Sequence, residues 1–205
     1  MEKKYKLIVW DIETTGFVAP ESKITEIGAL LVDNDDNITT KSWLLNNHCD
    51  IPEKITEITG ITKEIIDQDG LDPETVLMEF INLVKDSGVN ITHNGTKFDI
   101  PFFLDYSMDV LKLNDFEYSQ FSTLINENSI DTAAIYKASK LGMQKQNESD
   151  KDFNLRVMST FSKQKFNLGY CCDEFGIDRS NVTQHRAAGD VFLTYELYKK
   201  LVEQN

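Results

Sequence analysis

The sequence predicts an α/β domain: a mixed central β-sheet flanked by helices. Two observations carry this. Strand-like apolar runs crowd between Lys6 and Leu45 with a polar turn between them, and from there onward strand-like and helix-like segments alternate. A third, the length of 205 residues, suits a single domain spanning residues 1–205 with a sizeable core.

Lys6-Leu7-Ile8-Val9-Trp10 is a buried-strand run that Asp11 is expected to end. Ile24 to Val32 and Thr39 to Leu45, either side of Asp33-Asn34-Asp35-Asp36-Asn37, predict the next two strands of an antiparallel meander. Asp72-Pro73-Glu74 is a helix start, with Asp as cap and Pro in the first turn, and Val76, Leu77, Phe80, Ile81 and Val84 continue its apolar stripe until Ser87-Gly88. Val89 to Thr92 predicts a strand that delivers His93, and Phe98 to Leu113 a helix whose first turn tolerates Pro101. Ser129 to Thr132 is a further strand end. Lys137 to Lys165, rich in Lys, Gln, Asn, Ser and Asp, predicts mobile loops or a pair of surface helices. Helices over Leu168 to Phe175 and Ala187 to Val202 complete the chain.

Composition narrows the function. Hydrophobic residues at 40% and charged ones at 27% describe an ordinary globular protein. No run is long enough to span a membrane, and the first residues lack the pattern of a signal peptide. Cys49, Cys171 and Cys172 are an odd set with two adjacent members, which fits a reducing, cytoplasmic setting. The net charge of −13 argues against a broad electrostatic grip on nucleic acid. Neutralising four acids with cations would still leave the chain acidic. A nucleic-acid substrate would therefore be gripped locally, at an end, with Lys97, Arg156, Lys163, Lys165 and Arg186 available as local positive charge.

Three phrases carry the chemistry: Asp11-Ile12-Glu13-Thr14-Thr15-Gly16, His93-Asn94-Gly95-Thr96-Lys97-Phe98-Asp99 and His185-Arg186-Ala187-Ala188-Gly189-Asp190. Asp11 and Glu13, two apart at a strand end, fall on one face, where a divalent cation would relieve their repulsion; two solvated acids at a strand end are the ordinary alternative. Asp99 falls at a strand-to-helix junction, where the helix dipole alone would also favour an acid, and Asn94-Gly95 reads equally as a turn. His185 and Asp190 are five apart, which places the histidine on a loop ahead of the last helix, suited to a general base; a surface histidine in a polar loop is the plain alternative.

Taken together, and in this order along nearly the whole chain, these phrases resemble the DnaQ-like, or DEDDh, family of 3′-5′ exonucleases. Ile58-Thr59-Gly60-Ile61-Thr62 is similar to the family's His-Gly-Ile-Thr substrate loop, with Thr59 in place of the histidine. Ile130-Asp131-Thr132 is similar to its Asp-Thr strand, and Asn167-Leu168 through Gly176-Ile177 to its Leu-rich helix and following turn. The resemblance implies an RNase H-like fold and a two-metal phosphodiesterase. Asp11, Glu13, Asp99 and Asp190 would hold two Mg²⁺ or Mn²⁺ ions, and His185 would take the proton of the attacking water. Thr14, Thr15 and Gly16 would lie near the terminal nucleotide, Phe17 and Ile61 would pack on its base, and Asn94 and Phe98 would join the substrate site.

The expected partner is a nucleic acid with a free 3′ end, single-stranded DNA in the first instance, with no membrane and no identified protein or polymerase partner. A 3′-5′ exoribonuclease trimming RNA or short oligonucleotides is the alternative chemistry, because motif spacing does not report on the 2′-OH. A catalytically silent partner-binding module is the alternative of a different class.

Overall fold

The computed structural model describes residues 3–180, 182 and 186–203. Within them a five-stranded sheet has the order β3-β2-β1-β4-β5, from β1 (Tyr5–Thr14), β2 (Ile24–Asp33), β3 (Ile38–Leu44), β4 (Ser87–Thr92) and β5 (Ser129–Asp131). β1, β2 and β3 pair antiparallel, while β4 and β5 add to β1 in parallel, so the sheet is mixed, as the sequence predicts.

One detail of register builds the site. Asp11 does not end β1. The parallel pairing with β4 stops at Val9 opposite Ile91, but the antiparallel pairing with β2 continues to Thr14 opposite Ile24. The last residues of β1 therefore project beyond β4, held from one side only. This leaves a crevice at the carboxyl end of the parallel strands, where ligands of open α/β sheets bind.

The two faces of the sheet carry different helices. Ile8, Trp10 and Ile12 of β1 point into the main core, which they share with Val76, Leu77, Phe80 and Ile81 of α3 (Pro73–Lys85) and Phe102, Phe103 and Tyr106 of α4 (Asp99–Leu111). Trp10, Phe80 and Phe103 meet there with ring centroids 5.1 to 5.5 Å apart. Val9 points the other way, packing with Leu30, Ile91 and Val191 of α9 (Ala187–Glu203). Asp11 and Glu13 share the side of Val9, because side chains alternate along a strand. The last helix thus lies over the face that bears both acids.

Some boundaries depart from expectation. Phe98 is the residue before α4, with φ −129° and ψ −71°, and α4 ends at Leu111 because Lys112 turns left-handed (φ 52°). The polar stretch ahead of Ser129 contains α5 (Asp115–Asn126), started by a capping box in which Asn114 and Glu117 each bond the other's backbone. Two short helices, α1 (Glu53–Thr59) and α2 (Lys63–Asp69), flank the Gly60-Ile61-Thr62 turn.

The Lys137 to Lys165 stretch takes the helix-pair alternative, with connecting segments between and after the helices. α6 (Thr132–Leu141) starts on β5 and α7 (Asp150–Ser159) starts at the Ser149 cap. Both are packed into the body: Ala133, Ala134, Ala138, Val157 and Met158 form a buried cluster of their own. α8 (Leu168–Glu174) packs its buried Cys171 with Tyr136 and Leu197. Among the described residues no helix is long and apolar enough to cross a membrane.

Candidate active site

The four acids of the three phrases arrive on three elements. Asp11 and Glu13 lie on the projecting end of β1, Asp99 is the first residue of α4, and Asp190 lies in the first turn of α9. Carboxylate oxygens of Asp11, Glu13 and Asp190 all come within 4.8 Å of one another. Asp99 is almost fully buried behind them, and its Oδ1 accepts the backbone N–H of Ile12 at 3.3 Å, an amide on the part of β1 that outruns β4. A cavity of about 430 Å³ opens at this point, lined by Asp11, Asp190, His93, Asn94, Lys165 and Phe166 among others.

So many carboxylates in one place repel. Burial and the neighbouring carboxylates, Asp99 foremost, push Asp11 well above the usual carboxylate range. Burial, and after it Asp190, raise Glu13 to about 8, and burial raises Asp99 to about 7. Such a set holds its charge comfortably only with a cation among its oxygens.

The scaffold that brings Asp190 to this point includes Glu26, which sequence reasoning missed. Glu26 stands opposite Glu13 in the β1/β2 register and is 1% exposed. Its carboxylate accepts Arg186 Nε at 3.0 Å and Nη2 at 3.1 Å, the N–H of Ala187 at 3.1 Å and the hydroxyl of Ser42 at 2.6 Å. It therefore satisfies a first-turn donor of α9 and places negative charge at the positive end of the helix. Two residues on, Gly28 faces the same helix. A Cβ there would lie 2.5 Å from the Ala187 carbonyl carbon, so only glycine allows this approach. A charged residue between Thr25 and Ile27 in an otherwise apolar strand was the available signal.

Asp131 does the corresponding work for the second phrase. It is fully buried and accepts N–H groups of Asn94 (2.8 Å), Thr96 (3.0 Å), Ala133 (3.0 Å) and Ala134 (3.3 Å). One carboxylate thereby caps α6 and pins the turn leading to Asp99, in which Asn94 adopts φ 63°. His93 is half-buried, and desolvation lowers its pKa, favouring the neutral ring. Its ring nitrogens meet Thr132 Oγ1 at 2.8 Å and the Phe166 carbonyl at 2.7 Å. A carbonyl only accepts, so Nε2 carries the proton.

The expected substrate residues fall in unlike places. Thr14, Thr15 and Gly16 form a built turn: Thr14 Oγ1 donates to the Gly16 carbonyl at 2.6 Å, and Thr15 exchanges backbone and hydroxyl bonds with Lys23. Phe17 is 83% exposed and meets Phe98 edge-on at 6.3 Å, while Phe98 leans on Phe102. Asn94 lines the cavity. Ile61 differs: it is fully buried, so it offers a base no exposed surface, because the α1 and α2 turns fold it inward. Arg186 and Arg156, expected as local positive charge, are engaged by Glu26 and Glu148 respectively. His185 lies outside the described residues.

Comparison with known proteins agrees with this construction. A family model described as exonuclease matches residues 8–198. The chain is 25% identical over 197 residues to the PolC-type DNA polymerase III of Ureaplasma parvum, covering 94% of this chain and 11% of that one. It is 28% identical over 198 residues to the DNA polymerase III subunit epsilon of Rickettsia conorii, covering 95% of this chain and 73% of that one. The chain thus spans only about a tenth of the PolC-type relative's length. Among solved structures, exonuclease I superposes with a TM-score of 0.71 at 18% identity, over 97% of this chain and 41% of that one. E. coli exonuclease I in complex with a dA16 oligonucleotide gives a TM-score of 0.70 at the same identity, over 97% and 40%. The chain belongs to the exonuclease family, the DnaQ-like 3′-5′ exonucleases with an RNase H-like fold.

Proposed function

We propose that this protein removes nucleotides one at a time from the 3′ end of nucleic acid, single-stranded DNA by preference, and releases nucleoside 5′-monophosphates. The observation that carries the reading is the convergence of Asp11, Glu13 and Asp190 within 4.8 Å at the mouth of the cavity, with Asp99 beside them, in a chain of this family. The donor set fits a hard divalent cation, being made of carboxylate oxygens alone.

Asp11, Glu13, Asp99 and Asp190 would hold two such ions, Mg²⁺ or Mn²⁺. When bound, these supply charge stabilisation to the attacking and leaving oxygens of phosphodiester hydrolysis. The protein's own groups do the rest. His185 takes the proton of the attacking water, and general-base help of this kind is worth about a hundredfold to ten-thousandfold. The Thr14 to Gly16 turn sets backbone against the terminal nucleotide. Phe17, exposed and propped on Phe98, offers its ring to the terminal base. The polymerase III relatives make proofreading or end repair the natural setting.

The test is digestion of 5′-labelled single-stranded DNA, duplex DNA and RNA of one sequence with Mg²⁺ or Mn²⁺. A ladder shortening from the 3′ end, mononucleotide product, and loss of both in EDTA or in Asp11→Ala and Asp190→Ala are expected. Full activity in chelator, or cleavage of a circular strand at the rate of a linear one, would overturn the reading; faster loss of RNA would move the substrate to RNA.

A further inference from the structure

The segment between α7 and α8 passes the site, and the proposed chemistry gives it no role. It reads Thr160-Phe161-Ser162-Lys163-Gln164-Lys165-Phe166-Asn167. Three bonds hold it in place, and a fourth holds the residue just before it. Lys97 Nζ, one residue before Phe98, donates to Ser159 Oγ at 2.9 Å. The ammonium of Lys137, 3% exposed, donates to the Thr160 carbonyl at 2.6 Å and lies 5.5 Å from the centre of the Phe166 ring. Gln164 Nε2 donates to the Tyr136 hydroxyl at 3.0 Å, and the Phe166 carbonyl accepts from His93. The segment is thus fastened at one end beside the helix that carries Asp99 and at the other beside the cavity, where Lys165 and Phe166 join Asp11 and Asp190 in the lining.

Within it, exposure alternates residue by residue. Phe161, Lys163 and Lys165 are exposed, while Ser162, Gln164 and Phe166 are half-buried. One face therefore presents an aromatic ring and two ammonium groups in a row at most about 14 Å long. The ring of Phe161 is 88% exposed although the two residues before it are bonded down, Ser159 through its hydroxyl and Thr160 through its carbonyl. An aromatic ring interleaved with cations on an otherwise acidic protein complements one kind of ligand. Phosphates meet the ammonium groups, and a base stacks on the ring without regard to its identity.

We propose that this segment is the track for the unpaired DNA strand behind its 3′ end, with Phe161 as a stacking platform and Lys163 and Lys165 as phosphate contacts. It rests on the exonuclease reading above and gives that site a means of holding strands longer than the nucleotides being cleaved. It also gives the Lys137 to Phe166 stretch a role, since the buried Lys137 fastens the track from below.

The experiment compares kcat/KM on dT12 and on dT2, which is too short to reach past the cleavage site. Phe161→Ala should lower the dT12-to-dT2 ratio about tenfold, chiefly through KM, and Phe161→Trp should restore it. Lys163→Ala with Lys165→Ala should lower it too. In an Asp11→Asn background that prevents cleavage, the same pair should flatten the slope of log Kd for labelled dT12 against log salt by about 1.4, the value for two phosphate contacts on a single strand. A Phe161→Ala ratio equal to that of the unaltered protein overturns the track, and a loss confined to U12 overturns its assignment to DNA. Failure of the unaltered protein to shorten either oligonucleotide from the 3′ end would instead overturn the exonuclease reading.

Discussion

Gly28→Ala is the sharpest probe of how the site is assembled. The added methyl would sit 2.5 Å from the Ala187 carbonyl carbon, 2.6 Å from its oxygen and 2.8 Å from its Cβ. Carbon atoms rest about 3.5–4.0 Å apart, so the start of α9 must withdraw from the sheet by roughly 1 Å. Asp190 is three residues along that helix and must close on Asp11 and Glu13 across the same gap. Overpacking of this kind costs about 1–3 kcal/mol, so the variant should fold. A misplacement of about 1 Å can cost roughly a hundredfold in rate, and that is the fall in kcat expected. Single-turnover cleavage of a labelled oligonucleotide with saturating Mg²⁺ measures it, and thermal unfolding shows that the protein remains folded. A Gly28→Ala enzyme with unaltered kcat and metal affinity would refute the claim that close approach of α9 to β2 sets the position of Asp190.

Other perturbations test the remaining supports. Glu26→Gln leaves the guanidinium of Arg186, a third exposed, without its anion, and losing these charge-assisted bonds should cost about 1–3 kcal/mol; urea unfolding measures this, and Glu26→Asp should recover part of it. Asp131→Ala strips four backbone N–H groups of their acceptor, at about 1–3 kcal/mol for each buried donor left unmet, and amide exchange at Asn94 and Thr96 should accelerate before the rest of the chain. The raised carboxylates fix the sign of a pH effect in metal-free protein. Glu13 titrates near 8 in the folded chain against 4.5 when unfolded, and Asp99 near 7 against 3.8, so between these values the folded state binds more protons. Stability present at pH 5 should therefore decline toward pH 8, on the order of 3 kcal/mol from Glu13 alone. Added Mg²⁺ should recover more at pH 8 than at pH 5; a melting temperature in EDTA that rises over this window would contradict the clustering of the acids.

The sequence carried the sheet and the acids well because both are written in local patterns. Apolar runs bounded by turn residues mark the first three strands, and Asp72-Pro73 marks α3 with its own capping bond to Thr75. What stayed hidden depends on partners distant in the chain. β1 outlasts Trp10 because β2 continues beside it, and nothing in Asp11 to Thr14 announces that. Glu26 and Gly28 look like a charge and a gap in an apolar strand until α9, some 160 residues on, is laid over them. Lys137 was one of many lysines in a polar stretch, and only the carbonyls at the end of α7 explain its burial. The capping box of α5 was legible as Asn114 with Glu117 three residues on; the polar flanks obscured it.

The distribution of charge follows from the same geometry. A chain of net −13 gains little from a general attraction to nucleic acid, and the structure spends two of its candidate cations internally: Arg186 on Glu26 and Arg156 on Glu148. Lys97 and Lys137 are spent too, fastening Ser159 and Thr160. The cations left exposed beside the site, Lys163 and Lys165, sit on the segment those two lysines hold. An acidic surface opposes broad binding along a strand, while on the proposed reading cations held by the carboxylates and the ammonium groups of Lys163 and Lys165 would attract phosphate at the cavity and just behind it. On the proposed reading, preference for an end and the short length of strand behind it rests on where these positive charges are left unspent.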